Sequence, residues 1–137
     1  MRNGVKRLSL VAALVCVAGA VSAKPVIYDC KPASGKSTSI IQPQILISYD
    51  AADGEVIVTD PVILSELGKP LAGKLQSESA VRYVFDWRVD GVLGGRSETA
   101  VLDYRARVFK DGRLSLTVTP VGYDNQFSSE GRCTIQK

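Results

Sequence analysis

The sequence predicts an all-β fold: a small antiparallel β-barrel or sandwich of about six to eight strands, behind an N-terminal export signal. Three observations carry this. Residues 82–89 alternate strictly, and residues 99–109 and 114–119 place apolar side chains on one face on either side of a turn, the period of a strand with one buried face. The β-branched runs elsewhere are short and separated by Gly, Pro, Asp and Ser clusters. Only one stretch carries helix punctuation, and it spans two turns at most.

Residues 1–23 read as a secretory signal peptide. Arg2, Lys6 and Arg7 precede an apolar run from Leu8 to Ala20, and Val21-Ser22-Ala23 supplies the small residues of a cleavage site. The run is shorter than the roughly 20 residues a membrane span needs. Cys16 lies inside the apolar run with Val15 before it, which does not suit a lipid-attachment site. The mature chain is then a single domain, residues 24–137, with no membrane span.

Within it, Val26-Ile27-Tyr28 begins the first strand, and Lys31-Pro32-Ala33-Ser34-Gly35 breaks it. Ile45–Tyr49 and Glu55–Thr59 flank Asp50-Ala51-Ala52-Asp53-Gly54 and form a hairpin. Asp60-Pro61 can open a helix that Gly68 and Pro70 end, although the β-branched Val62-Ile63 favour an extended chain. From Arg82 to Val89, Tyr83, Phe85, Trp87 and Val89 share one face. Leu102, Tyr104, Ala106 and Val108 do the same in the next strand, opposite Asp103, Arg105 and Arg107. Asp111-Gly112 marks a tight turn of the primed type, and Leu114, Leu116 and Val118 continue the alternation. Arg132–Ile135 closes the sheet near Tyr28.

Loss of the signal leaves two cysteines, Cys30 and Cys133, at opposite ends of the mature chain. In an oxidising compartment they form one disulfide joining the termini. The loop it closes is about 100 residues, for which chain entropy gives about 4–5 kcal/mol. Their spacing is that of a staple, not of a redox-active pair.

Composition excludes several function classes. The chain of 137 residues has no histidine, so Ser-His-Asp and Cys-His catalysis and imidazole metal sites are absent. Removing Arg2, Lys6 and Arg7 leaves 14 basic against 14 acidic residues, so the mature chain has no basic excess with which to bind nucleic acid. Ser34-Gly35-Lys36-Ser37-Thr38 resembles the end of a phosphate-binding loop, but Cys30 stands where that loop needs its first glycine. No cofactor or metal is expected. Asp86 and Asp103 share strand faces with Arg82, Arg88, Arg105 and Arg107, the pattern of a charged solvent face rather than an acid/base pair.

Two loops are candidate contact sites. Asp90–Gly95 holds Val92 and Leu93 between glycines, either as an exposed tip or folded over the end of the barrel. Val121–Phe127 places Tyr123 and Phe127 around a polar Asp-Asn-Gln core, as recognition rings or as plugs of the barrel mouth.

Tyr28-Asp29-Cys30, Cys133 and Ser79-Ala80-Val81-Arg82-Tyr83 together resemble the c-type lysozyme inhibitors of bacterial envelopes, which are small exported β-barrels with Tyr-x-Cys and Ser-Gly-x-x-Tyr segments. The resemblance implies that Ser79 enters the lysozyme cleft, that Tyr83 holds the segment and that Arg82 lies beside it. Ala80 stands where that motif has glycine, and residues 57–75 have no counterpart in it.

The expectation is therefore an exported, non-catalytic binding domain of the cell envelope whose partner is a protein or another envelope component. Inhibition of c-type lysozyme through Ser79, Arg82 and Tyr83 is the first alternative. The others are a carrier holding a small apolar ligand inside the barrel and a small hydrolase working with carboxylates alone.

Overall fold

A computed structural model describes residues 24–33, 40–94 and 98–136, together with Gly19; the side chains of residues 92–99 are not among what it describes. The rest of residues 1–23, including Cys16, and Ser34–Thr38 lie outside the described residues, so the expected signal peptide lies there too.

Eight strands and one short helix follow in chain order: β1 (Val26–Pro32), β2 (Ile45–Asp50), β3 (Glu55–Thr59), α1 (Pro61–Leu67), β4 (Leu71–Glu78), β5 (Arg82–Gly94), β6 (Glu98–Phe109), β7 (Arg113–Pro120) and β8 (Phe127–Gln136). Each strand pairs antiparallel with the next, and β8 returns to β1, so the sheet closes as an up-and-down barrel. The choice between barrel and sandwich is resolved in favour of the barrel.

Closure follows from alternation. Every second side chain points inward, and those positions carry Ile45, Ile47, Val56, Val58, Phe85, Leu116 and Val118, all essentially inaccessible to solvent. The outward positions are mixed: Asp86, Arg88, Asp103, Arg105 and Thr117 on β5–β7, but Leu46 and Ile57 on β2 and β3. Among the described residues no helix is long and apolar enough to cross a membrane.

The seam between β1 and β8 carries the disulfide. Cys30 lies directly opposite Cys133, and the two sulfurs are bonded across 103 residues of chain. Two residues along, Gly131 faces Pro32 so closely that a Cβ there would strike the Lys31 carbonyl oxygen and come within 2.7 Å of Pro32 Cα. A glycine at that point lets the last strand reach the first.

The up-and-down topology sorts the connections to two ends. At the first end lie the β1–β2 and β5–β6 connections, α1, and the β7–β8 loop from Val121 to Gln126. At the second end lie the β2–β3, β4–β5 and β6–β7 turns.

α1 overrides the local preference of Val62-Ile63 for extended backbone. Asp60 caps it by accepting from the Ile63 amide at 2.8 Å, Pro61 occupies the first turn, and Gly68 ends it at φ +69°. Ile63 is fully buried with the core cluster, and that burial favours the helix over a strand.

Other differences from the sequence reading are local. β4 was not foreseen. β5 continues to Gly94 through a bulge between Val89 and Val92, with Gly91 at φ +83°, so Val92 and Leu93 sit on paired backbone rather than in a loop. β8 begins at Phe127, five residues before the expected start at Arg132. The turn at Asp111-Gly112 is a three-residue connection, Lys110-Asp111-Gly112, not a two-residue primed turn. Gly112 takes φ +96° and donates to the Phe109 carbonyl at 2.9 Å, and Asp111 accepts from the Arg113 amide.

Candidate functional site

The fold separates the sequence-predicted site residues. Ser79, Arg82 and Tyr83 lie at the second end of the barrel. Val92, Leu93, Tyr123 and Phe127 lie at the first. They do not form one site.

Ser79 opens the β4–β5 turn and is exposed. Its hydroxyl oxygen accepts from the Val81 and Arg82 amides at 3.3 and 3.2 Å, and the hydroxyl donates to the Arg82 carbonyl at 3.4 Å. The Ser79 amide also donates to that carbonyl at 2.9 Å, and Lys110 donates to the Val81 carbonyl. The tip is thus held by its own hydrogen bonds, with the side chain of Val81 62% exposed. Arg82 is exposed, its guanidinium 5.9 Å from the centre of the Phe109 ring.

Tyr83 is half-buried and faces inward. It stacks on Phe85 at 5.9 Å between ring centres and meets Tyr28 and Tyr49, while the Lys110 ammonium sits 5.0 Å over its ring. These rings close the second end of the barrel. Burial, with Tyr83 beside it, pushes the Tyr28 phenol up to about 12.

At the first end, Tyr123 is 64% exposed, so it does not plug the mouth. Phe127 is half-buried and packs against the core, as a plug does. Trp87 and Tyr104 stack inside the barrel at 5.2 Å and 7°. The Tyr104 hydroxyl donates to the Ile40 carbonyl at 2.7 Å. Burial, and then the nearby Asp60 charge, raises its pKa. Asp60 itself is raised by burial, against the lowering effect of the amides it accepts from.

The candidate site that the folded structure adds lies on the barrel wall. An open groove of about 760 Å³ crosses β4, β5, β6 and β7. Its lining includes Lys74 from β4, Asp86 and Arg88 from β5, Asp103, Arg105 and Arg107 from β6, Thr117 and Thr119 from β7, and Gln126 from the connection beyond. Register assembles it. Lys74, Asp86, Arg105 and Thr117 lie in one row across the strands, Arg88, Asp103 and Thr119 in the next.

Both carboxylates are committed. Arg88 grips Asp103 through Nε and Nη2 at 2.6 and 2.9 Å, and Arg105 grips Asp86 at 2.8 and 2.7 Å. The Arg88 hydrogen bonds hold Asp103 below the usual carboxylate range, and the Asp partners raise both guanidinium groups. Arg107 differs. Its cross-strand neighbours are Val84 and Ser115, neither of them acidic, and among the described residues it makes no ion pair. Lys74 lies opposite Asp86, whose oxygens Arg105 already holds. Four cations against two anions leave the groove with a charge of +2, although residues 24–137 carry 14 basic and 14 acidic side chains.

The arginines and aspartates are legible in the sequence as a solvent face, with Thr117 and Thr119 as polar positions of the next strand, whereas Lys74 carries no signal there. The register that unites them was not available from the sequence. Among the described residues no group of three or more metal-ligating side chains gathers. No family model, curated protein or solved structure matches the chain.

Proposed function

We propose that this chain is an exported, non-catalytic binding domain of the cell envelope, and that it meets its partner through the outer groove of β4–β7. The observation that carries the proposal is the charge imbalance of the groove, where Lys74 and Arg107 make no ion pair among the described residues and lie beside two bidentate Arg–Asp pairs. Export is supported by the residue pattern of the first 23 positions and by a disulfide, which suits an oxidising compartment.

Closure of the barrel favours side-chain recognition. With no free sheet edge, a partner cannot add a strand. Inward positions are filled by side chains such as Phe85, Trp87 and Leu116, which speaks against a carried ligand. Asp86 and Asp103 do share the groove, as a carboxylate hydrolase would need. Each is clamped by an arginine, and Asp103 is held acidic, the opposite of what a proton donor requires.

Co-sedimentation of the disulfide-intact domain with isolated envelope fractions tests the reading. Lys74→Glu with Arg107→Glu should abolish binding, whereas Arg113→Glu, outside the groove, should leave it. Binding that survives the first pair removes the groove from the function.

Inhibition of c-type lysozyme is the second reading, and one observation favours it: the Ser79–Arg82 tip is exposed and held in one shape by its own hydrogen bonds. Against it, the Ser79 hydroxyl is occupied within the turn. Stoichiometric inhibition, lost in Ser79→Ala/Tyr83→Ala, would establish it. No inhibition at a large molar excess would retire it.

A further inference from the structure

The groove also points to the chemistry of its ligand, an inference that rests on the binding role proposed above. We propose that it binds an anionic oligosaccharide, a chain of sugar hydroxyls carrying carboxylates at intervals.

Spacing comes first. Lys74 and Arg107 are two strands and one outward step apart, which strand geometry converts to about 12 Å between their Cα atoms. Two anionic groups separated by that distance, or less given the reach of both side chains, are matched by the pair. Between them the surface is not uniformly basic. Asp86 and Asp103 keep lone pairs beyond those their arginines use, and Thr117, Thr119 and Gln126 add donors and acceptors. Such a surface asks for hydroxyl donors in the middle of the ligand and negative charge at intervals.

An acidic peptide supplies the charge but no hydroxyl donors for the spare lone pairs of Asp86 and Asp103. A neutral oligosaccharide supplies the hydroxyls and leaves Lys74 and Arg107 unmatched. An anionic oligosaccharide supplies both. Four strands at about 4.8 Å give a floor about 14 Å wide, enough for a short oligosaccharide. The aromatic side chains of the neighbouring positions, Trp87 and Tyr104, are buried inside the barrel, so recognition here is ionic and hydrogen-bonded rather than by ring stacking.

The test uses the disulfide-intact domain from Lys24 onward, which holds the whole barrel. Tetragalacturonate, neutral galactotetraose and tetraglutamate are titrated separately, with amide shifts and calorimetry as readouts. The expected result is shifts centred on Lys74, Arg107, Thr117 and Thr119 with tetragalacturonate. Its affinity should fall about tenfold or more in Lys74→Gln/Arg107→Gln, fall as salt is raised, and persist in Arg113→Gln. Galactotetraose should bind at least about tenfold more weakly, because it leaves both cations unpaired.

Tetraglutamate binding in the groove as tightly as tetragalacturonate would overturn the oligosaccharide assignment while leaving the groove as a binding face. Groove shifts with none of the three at millimolar concentration would also overturn it. Envelope co-sedimentation, which needs no assumption about ligand class, then decides separately whether the binding role survives.

Discussion

Reduction of the Cys30–Cys133 bond should cost this barrel about as much stability as any single change can. The bond joins the first strand to the last across 103 residues. For a loop that long, chain entropy gives about 4.7 kcal/mol of destabilisation of the unfolded state. Small domains are stable by about 5–15 kcal/mol in total, so the reduced chain is left near the edge of folding. For about 110 residues the unfolding entropy is about 0.24 kcal/mol/K, which converts the loss to a fall in Tm of about 20 °C. Urea unfolding of the oxidised and reduced chains measures it directly. Reduction leaves both sulfurs in place, so it avoids the cavities that alanine substitutions would open. The urea dependence should also steepen on reduction, because the uncrosslinked chain exposes more surface when it unfolds. A loss under about 1 kcal/mol would refute the reasoning. It would mean that the seam holds the unfolded chain together without the bond, or that the six backbone pairs from Ile27 to Pro32 fix closure alone.

Further outcomes follow from individual residues. Asp60 is raised in the fold by burial, so the folded state binds its proton more tightly than the unfolded state; its favourable contribution is full at low pH and lost as pH rises through the folded value. Asp60→Asn keeps the cap and removes the charge, so its stability relative to the parent should improve from about pH 3 to pH 7, and a parental advantage that grows with pH would reverse the sign. Asp60→Ala removes the cap and should cost about 1 kcal/mol, read by chemical denaturation. The Tyr28 phenol, at about 12 in the fold, should resist ionisation in an ultraviolet titration, and stability should fall as pH rises from 10 toward 12. Gly131→Ala forces a methyl against the Lys31 and Pro32 backbone and should cost about 1–3 kcal/mol, whereas the exposed Ser128→Ala should be near neutral in the same measurement.

What the sequence made legible was whatever alternation expresses. Tyr83, Phe85, Trp87 and Val89 were assigned to one face and lie inside the barrel. The cysteines were paired by position, and the charged pairs on β5 and β6 were assigned to the solvent face. The strands that escaped notice carry small residues where neighbours crowd them. In β4 the inward position between Leu71 and Leu75 is Gly73, where a Cβ would come within 3.0 Å of Val56 and 3.1 Å of Val58. In β8, Ser129 and Gly131 replace the apolar residues a pattern search looks for, and at Gly131 the Lys31 and Pro32 backbone leaves no room for a side chain. At Gly73 and Gly131 close packing excludes the side chains that would signal a strand. The helix failed differently. Asp60, Pro61 and Gly68 signal it, the β-branched Val62-Ile63 oppose it, and the burial of Ile63 decides the matter only in the folded barrel.

The groove illustrates a harder limit. Arg105 and Arg107 are two residues apart on one strand face and look equivalent in the sequence. Register separates them, because β5 presents Asp86 to Arg105 and Val84 to Arg107. One arginine becomes part of the wall, and the other is left to meet something else. The same distinction bears on the partner. A strongly basic protein would be repelled by a groove that carries Lys74 and Arg107 uncompensated, so the Ser79 tip and the groove do not suit one basic partner together. They lie on different parts of the barrel, the tip at its second end and the groove along its wall, and each can be altered without touching the other. If lysozyme inhibition exists, it should survive Lys74→Gln/Arg107→Gln unchanged. If the groove carries the function, Ser79→Ala should leave envelope binding intact. A chain in which both substitutions weakened the same interaction would contradict the separation of these surfaces that the barrel topology imposes.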